Sequence, residues 1–175
     1  MGIYAQSKAE GEKRVAAATR RYIIIRTAWL YGLHGNNFVK TMLRLGNDRR
    51  VLKVVNDQHG CPTNAANLAA AVFTISRKVH ENDNFDAWGI YHFCDKGETT
   101  WYGFAETIFN YASRYEKLAL QELIPITTQE YLTPAQRPPN SVLSCDKIQR
   151  TFGIKRKSWE ESLEEMLNKL YKADL

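Results

Sequence analysis

A short apolar run, YIIIR at positions 22–26, places the strongest limit on the fold of this chain. The run is unbroken, contains three β-branched isoleucines and follows a stretch of good helix formers that ends near Ala18. Unbroken runs of this length are typical of strands buried on both faces of a parallel sheet. A helix that leads into such a strand is the repeating unit of a doubly wound fold. The sequence therefore predicts an α/β protein.

Patterns of both kinds recur along the rest of the chain. Strand-like apolar runs lie at positions 51–55, 89–93 and 123–127. Helical apolar stripes begin at Phe38, Leu68, Trp101 and Trp159, and a short helix is predicted near 145–152. The segments NDQHGCPT at 56–63 and TPAQRPPNS at 133–141 carry turn residues and prolines and are predicted to be loops. Thr99 or Thr100 is expected to cap the helix that follows.

The glycine-rich turn of dinucleotide-binding sheets is absent from the sequence. Such a turn joins the first strand to a helix, and its backbone amides hold a pyrophosphate at the helix N-terminus. The chain has ten glycines, but none of them forms a G-x-G-x-x-G arrangement. Dinucleotide binding therefore cannot be inferred from a fingerprint in this chain.

Charge and hydropathy exclude several classes of partner. The net charge is +5 with a pI near 9.1, but the basic residues are interspersed with acids, so no nucleic-acid partner is predicted. A modest positive balance is equally compatible with a small anionic ligand. No segment has the apolar length needed to cross a bilayer, and no signal peptide is recognisable, so no membrane partner is expected.

The cysteines and histidines give no metal-binding pattern. Cys61, Cys94 and Cys145 are odd in number and far apart in the sequence, which predicts neither a zinc site nor a disulfide framework. The four histidines also lack ligand spacing, so no metal site is predicted. This usage of cysteine fits a reducing, cytoplasmic location.

A tyrosine and a lysine near the start of the chain suggest proton-transfer chemistry. Tyr4 and Lys8 are four residues apart, so a helix places their side chains on one face, one turn apart. A phenol ionises only near pH 10 in water, and a neighbouring ammonium group favours its ionised form. The alternative is a solvated helix with an exposed tyrosine and a surface lysine, because such pairs often arise by chance.

Several motifs surround this pair in a fixed order. The chain contains YAQSKAEGE, RTAWLYG, GNNFVKTML, VVNDQHGCPT, GIYHF, TWYGFAETIF and PITTQEYLTPAQRPPNSVL, followed by TFGI and a helix that begins with tryptophan. Together these segments, which cover nearly the whole chain, resemble the dTDP-4-dehydrorhamnose reductases of the extended short-chain dehydrogenase/reductase superfamily. Related epimerases and dehydratases are an alternative, but RTAW and RPPNS favour the reductases.

The resemblance implies reduction of the 4-keto group of dTDP-4-dehydro-6-deoxy-L-mannose to dTDP-L-rhamnose, with NADPH or NADH as cofactor. Tyr4 would protonate the carbonyl oxygen, and Lys8 would hold the ribose hydroxyls of the nicotinamide half. The residues that the resemblance assigns to the substrate are Trp29, Asn37, Gln58, Thr63 and Arg137.

Four of the five substrate residues also have a purely structural interpretation. Trp29 could pack in the core, and either Asn36 or Asn37 could cap the helix that they open. Arg137 could tie its proline-rich loop to a helix end. Thr63 could cap the helix that follows it.

The resemblance further implies a partial Rossmann-like, doubly wound parallel sheet with a small α/β substrate-binding domain. Residues 1–35 and 63–95 are assigned to the Rossmann-like part, and 36–62 and 96–175 to the substrate-binding part. The family's upstream catalytic Ser or Thr has no counterpart here, so the chain is expected to resemble the rear half of a reductase and to turn over little alone. It is expected either to form a homo-oligomer through an exposed sheet edge or to need the missing half. The alternative function is a non-catalytic binding subunit similar to the β subunit of methionine adenosyltransferase.

Overall fold

The computed structural model describes residues 2–131 and 138–173. The helices in these ranges are Ile3–Ala18 (α1), Phe38–Asp48 (α2), Ala65–His80 (α3), Trp101–Ala112 (α4), Asp146–Phe152 (α5) and Trp159–Ala173 (α6). The longer strands are Ile23–Arg26 (β1), Val51–Val55 (β3), Gly89–His92 (β6) and Glu122–Ile126 (β8). All of these were predicted, α1 from its helix-forming residues and most of the others from apolar runs or stripes, and they are confirmed. No helix within the described ranges combines the length and the apolar content that a bilayer crossing requires.

Four two-residue strands were not predicted from the sequence. They are Leu30–Tyr31 (β2), His59–Gly60 (β4), Thr63–Asn64 (β5) and Thr99–Thr100 (β7). Strands β4 and β5 lie within the predicted loop 56–63 and its border. Two residues are too few to produce a recognisable alternation, so only their distant partners define them.

The strands pair two by two, and three of the four pairs are parallel. Strand β1 pairs with β6, β2 with β5 and β3 with β8 in parallel, whereas β4 and β7 are antiparallel. Parallel strands need a crossover, and helices α2, α3 and α4 lie within the connections between paired strands. The predicted α/β class with parallel strands is confirmed.

Strand β1 is less buried than predicted. Ile23, Ile24 and Ile25 are only half-buried, and Arg26 is exposed. Within the described residues β1 pairs with β6 alone, so its other edge is free. A strand is covered on both faces only when helices pack above and below it, and α1, which lies near it, has no buried residue. The expectation of burial on both faces is therefore wrong for this chain.

Two apolar clusters form the interior. The larger one joins α2, β3, α4 and α6 and centres on the fully buried Phe104, Ile108 and Leu163. The second joins α3, β6 and α5 and includes Tyr91 and Phe152. Helix α5 thus packs with the predicted Rossmann-like part, although the predicted division assigns it to the substrate-binding part. The domain limits stay a prediction.

A buried carboxylate connects the elements between the two clusters. Asp95 accepts hydrogen bonds from the Asn64 backbone amide and the Asn67 side chain, each at 2.9 Å. The Asn67 side chain also donates to the hydroxyl of Ser162 on α6 at 2.8 Å. Burial raises the pKa of Asp95 despite these donors. The network fixes the start of α3 against α6.

Three asparagine or threonine side chains begin helices. Asn37 caps α2, since its side chain accepts a hydrogen bond from the Lys40 amide, and Thr100 caps α4. Both expectations of capping are confirmed. Thr63 does not cap α3, because Asn64 accepts from the Ala66 amide instead.

Candidate active site

The helical face shared by Tyr4 and Lys8 borders a wide cleft. Lys8 Nζ lies 5.6 Å from the centroid of the Tyr4 ring, so the predicted side-by-side placement is confirmed. Both side chains line a cleft of about 1070 Å³ between α1, the end of β1 and residues 138–143. Tyr4 is 75% exposed, so its hydroxyl is open to a ligand.

An ion pair ties α1 to β1 beside this cleft. Arg26 donates from Nε and Nη2 to the two carboxylate oxygens of Glu12, at 2.9 Å and 2.5 Å. The hydrogen bonds and the charge of Arg26 lower the pKa of Glu12, against a smaller opposing effect of burial. This pair of hydrogen bonds, the fork between Arg26 and Glu12, sets how α1 lies along β1. It therefore also sets where Tyr4 and Lys8 face.

Trp29 lies in a strained backbone conformation next to this cleft. Its φ angle is +47°, a left-handed conformation that bulky residues adopt rarely. Its ring stacks on Trp101, with ring centroids 3.6 Å apart and an interplanar angle of 10°. Its indole nitrogen donates to the Ser141 hydroxyl at 3.1 Å. Backbone strain that persists because neighbours fix it is typical of functional positions.

The pocket around Trp29 adjoins the cleft that Tyr4 borders. It has a volume of about 300 Å³ and is lined by Thr27, Ala28, Trp29, Gln58, Trp101, Pro138 and Ser141. Thr27, Ala28, Pro138 and Ser141 also line the larger cleft. The phenol and ammonium therefore border one cleft, and the aromatic pair borders an adjoining pocket.

Backbone contacts behind Trp29 hold the ring in place. A Cβ atom on Gly60 would lie 2.3 Å from the Trp29 ring, so only glycine fits at position 60. Thr63 is fully buried, and its hydroxyl donates to the Ala28 carbonyl at 2.7 Å while its amide donates to the Trp29 carbonyl at 3.1 Å. Thr63 thus contacts the backbone of Trp29 and does not line the cleft.

Gln58 reaches the pocket from the loop that follows β3. It is 6% exposed, and its Nε2 donates to the Thr128 hydroxyl at 3.0 Å. Thr128 in turn donates from its amide and hydroxyl to Asp57, and these bonds lower the pKa of the Asp57 carboxyl. The Gln58 amide is therefore held in a fixed orientation at the pocket wall.

Of the two remaining predicted substrate residues, Asn37 is not among those that line the cleft or the pocket. Both polar atoms of the Asn37 side chain are engaged: Oδ1 accepts from the Lys40 amide, and Nδ2 donates to the Gly32 carbonyl at 2.8 Å. Arg137 lies outside the described residues. The roles proposed for these two side chains stay predictions.

The structure adds Trp101 and Ser141 to the site. The sequence placed Trp101 in the buried stripe of α4, but it is half-buried and stacked on Trp29. Ser141 was predicted only as part of a loop. One sequence signal distinguishes Trp101 from the other stripe residues: it lies in the first turn of α4, where the helix begins at the pocket.

Comparison with known proteins gives one consistent result. The family described as the RmlD substrate binding domain matches residues 1–172. The dTDP-4-dehydrorhamnose reductase of Sinorhizobium fredii is 44% identical over 164 residues, covering 93% of this chain and 54% of that protein. The corresponding crystal structure from Clostridium acetobutylicum superposes with a TM-score of 0.83 at 41% identity, covering 95% of this chain and 55% of the other.

A reductase structure from Bacillus anthracis, solved in complex with NADP, superposes with a TM-score of 0.80 at 38% identity. It matches 96% of this chain and 55% of its own length. This chain therefore spans about half the length of the relatives it matches.

Proposed function

The chain belongs to the family of RmlD substrate-binding domains, and on this premise we propose that it forms the substrate-binding part of a dTDP-4-dehydrorhamnose reductase. The reaction proposed is reduction of the 4-keto group of dTDP-4-dehydro-6-deoxy-L-mannose to give dTDP-L-rhamnose. One observation carries the proposal: the cleft that Tyr4 and Lys8 border shares four lining residues with the adjoining pocket that Trp29 and Gln58 border. An acid in one cavity and a flat apolar surface in the adjoining one suit the reduction of a sugar.

Tyr4 is proposed as the acid of the reaction. Its hydroxyl would donate a proton to the carbonyl oxygen as that oxygen gains negative charge, leaving a phenolate on the side chain. Lys8, one turn away on the same helical face, would stabilise this phenolate by its positive charge. The proton lost by Tyr4 is then replaced from the water that fills the exposed end of the cleft.

The donor set at the cleft fits part of a nicotinamide cofactor. Lys8 carries an ammonium group at the cleft wall, which would hold the ribose hydroxyls of NADPH or NADH. When bound, this cofactor supplies the hydride that reduces the carbonyl carbon. No glycine-rich turn is present to hold the pyrophosphate, so only the nicotinamide end has protein partners among these residues.

The remaining residues are proposed to orient the nucleotide sugar. The flat ring of Trp29 would pack against a face of the deoxysugar, and Gln58 would hydrogen-bond a sugar hydroxyl. Thr63 would act by holding the Trp29 backbone rather than by touching the ligand. Asn37 and Arg137 are proposed for the diphosphate, which a helix N-terminus and a guanidinium both favour.

We expect these residues alone to bind NADPH poorly and to turn over negligibly, because they span only about half the length of the relatives that they match. A cytoplasmic location and a homo-oligomer that forms through the free edge of β1 complete the proposal. Both of these follow from the sequence reasoning and stay predictions.

Binding of dTDP to the purified chain, measured by isothermal titration calorimetry, tests the proposal. We expect Trp29→Leu to weaken binding of a dTDP-sugar about tenfold, which corresponds to about 1.4 kcal/mol. Trp88→Leu is the matched control, because Trp88 packs edge-on against Phe85 and lines neither part of the cleft. Equal losses in the two variants, or no affinity for dTDP in the unaltered chain, would contradict the proposal and favour the non-catalytic binding role.

Catalysis is tested separately after the chain is combined with the first half of a relative such as the Sinorhizobium fredii reductase. NADPH oxidation with the keto sugar should be lost in Tyr4→Phe while dTDP-sugar affinity is unchanged, because the phenyl ring retains the shape and removes the proton. A Tyr4→Phe variant that keeps full turnover would exclude Tyr4 as the acid.

A further inference from the structure

Three cysteines that are distant in the sequence meet in the second apolar cluster. Cys61 follows β4, Cys94 follows β6 and Cys145 immediately precedes α5. The sulfur atoms of Cys94 and Cys145 lie 3.5 Å apart although 51 positions separate the two residues. All three thiols are free and buried.

The three thiols of this cluster differ in the direction in which their surroundings shift the pKa. A hydrogen bond from the Cys94 thiol, assisted by the charge of Arg156, lowers the pKa of Cys145 against the opposing effect of burial. Hydrogen bonds with Cys145 and Cys61 raise the pKa of Cys94, and burial adds to that effect. Arg156 Nη1 lies 3.9 Å from the Cys94 sulfur and 3.5 Å from its carbonyl oxygen. Cys94 is therefore the least acidic thiol of the cluster, whereas the pKa values of Cys145 and Cys61 are both lowered. Of these two, Cys145 is the one whose sulfur lies 3.5 Å from that of Cys94.

Local structure distinguishes Cys145 from Cys61 as a partner for Cys94. Cys145 ends the segment 141–145, which forms neither helix nor strand, so its side chain can shift. Its sulfur must approach that of Cys94 by about 1.5 Å to reach the S–S bond length of about 2.05 Å. Cys61 lies between strands β4 and β5 and is followed by Pro62, which fixes its backbone more tightly. The described residues contain no group of three or more ligating side chains placed to hold a metal ion.

We propose that Cys94 and Cys145 are a modification site, a thiol pair that closes to a reversible disulfide when the protein meets a hydroperoxide, while Cys61 stays a thiol. In the first step the Cys145 thiolate attacks one peroxide oxygen, the O–O bond breaks, and hydroxide leaves and takes up a proton to form water. In the second step the Cys94 sulfur attacks the resulting sulfenic acid. The S–O bond breaks as the S–S bond forms, and the departing hydroxide takes the Cys94 proton to form a second water.

Oxidation at this pair would reach the cleft through the segment 138–145. Leu143, two residues before Cys145, lines the cleft, and its carbonyl oxygen lies 3.8 Å from the sulfur atoms of both Cys94 and Cys145. Segments without helix or strand hydrogen bonds open locally at low cost, which gives a small oxidant access to the buried sulfurs. The disulfide would then fasten this cleft wall to the end of β6.

Peptide mapping of the folded, full-length chain after hydrogen peroxide tests the proposal. We expect the chain to lose the mass of two hydrogen atoms, to yield a peptide pair cross-linked through Cys94 and Cys145, and to leave Cys61 open to N-ethylmaleimide after denaturation. Dithiothreitol should restore all three thiols. The cross-linked fraction should be at least tenfold higher in the unaltered chain and in Cys61→Ser than in Cys145→Ser.

Two outcomes would overturn the proposal. A cross-link that contains Cys61, or three thiols that all remain open to N-ethylmaleimide after oxidant, would show that the pair does not close. Circular dichroism confirms that each variant is folded, and should Cys145→Ser not fold, the peptide map of the unaltered chain decides alone.

Discussion

Breaking the Glu12–Arg26 ion pair by Glu12→Gln should loosen α1 and leave the rest of the chain unchanged. Helix α1 has 16 residues, none of them buried, and a free helix of that length is only marginally stable in water. Its attachment to the sheet includes the two hydrogen bonds that Arg26 donates to Glu12. The Glu12 side chain is 19% exposed and that of Arg26 is 46% exposed.

The exposure of Arg26 sets the size of the effect. Solvent screening limits a pair with one half-exposed partner to about 1 kcal/mol, even with paired hydrogen bonds. A loss of about 1 kcal/mol in the free energy of opening corresponds to about fivefold faster amide exchange. We therefore expect about fivefold faster hydrogen–deuterium exchange at the amides of α1 in Glu12→Gln, with no change in α4 or α6.

Glu10→Gln is the matched control for this prediction. Glu10 also pairs with an arginine, at 3.1 Å, but its partner Arg14 lies on α1 itself, and both side chains are more than half exposed. Removing it should change exchange in α1 by only about twofold, because exposed pairs within a helix contribute only about 0.3–0.5 kcal/mol. Equal acceleration by the two variants would refute the reasoning that the fork to β1 holds the helix.

The pH dependence of α1 should show the same interaction. Because the pKa of Glu12 is lowered in the folded state, its stabilising contribution is complete above the ordinary glutamate value of about 4.3 and is lost as the pH falls through the lowered value. Exchange in α1 should accelerate over that acidic range, beyond the intrinsic change, in the unaltered chain and not in Glu12→Gln.

Two further predictions concern the buried carboxylate and the free sheet edge. Because burial raises the pKa of Asp95, its contribution is complete below the ordinary aspartate value of about 3.9 and is lost as the pH rises through the raised value. Urea unfolding at a series of pH values should show this fall in stability in the unaltered chain and a smaller one in Asp95→Asn; equal slopes would contradict it. The free edge of β1, with exposed Val72 beside it, should cause self-association in light scattering, which a strictly monomeric, cooperatively melting chain would contradict.

Local periodicity explains why the order of the main helices and strands could be predicted from the sequence. The stripe at Phe104 and Ile108 recurs every three or four residues, and each such pattern reports the face that an element buries, whatever it packs against. Caps are equally local, so Asn37 and Thr100 were recognisable as helix starts. Local patterns do not report what packs against an element. The run YIIIR predicted a strand, but it could not show whether helices would cover both faces of that strand.

The arrangement of the site depended on contacts between distant positions. Trp29 meets Trp101 and Ser141 only because β2, α4 and the segment after β8 fold to one place. No single-residue pattern signals such a contact, and none predicts that a tryptophan will adopt a positive φ angle. The convergence of the three cysteines was missed for the same reason, because their spacing in sequence does not report their distance in space.

The burial of polar loop residues separates positioning from binding in this site. Gln58 and Thr63 both lie in NDQHGCPT, and the sequence offers the same interpretation for both: polar side chains in a loop that borders a ligand. The structure shows that Gln58 lines the pocket whereas Thr63 donates its hydroxyl to the Ala28 carbonyl behind Trp29. Thr63 is the first residue of strand β5, whereas Gln58 immediately precedes strand β4. Each of these strands is defined by its partner elsewhere in the chain.

The exposure of α1 gives a physical reason to expect little activity from this chain alone. The helix carries the proposed acid, yet its neighbours within the chain bury none of its residues, and Tyr4 is 75% exposed. Proton transfer needs the acid held within hydrogen-bond reach of the carbonyl oxygen, and a helix that opens easily spends time outside that geometry. The proposed chemistry therefore requires contacts to α1 and to the free edge of β1 from protein beyond these residues. Combining the chain with the first half of a relative should slow amide exchange in α1 and raise turnover together. Turnover without slower exchange in α1 would refute this coupling.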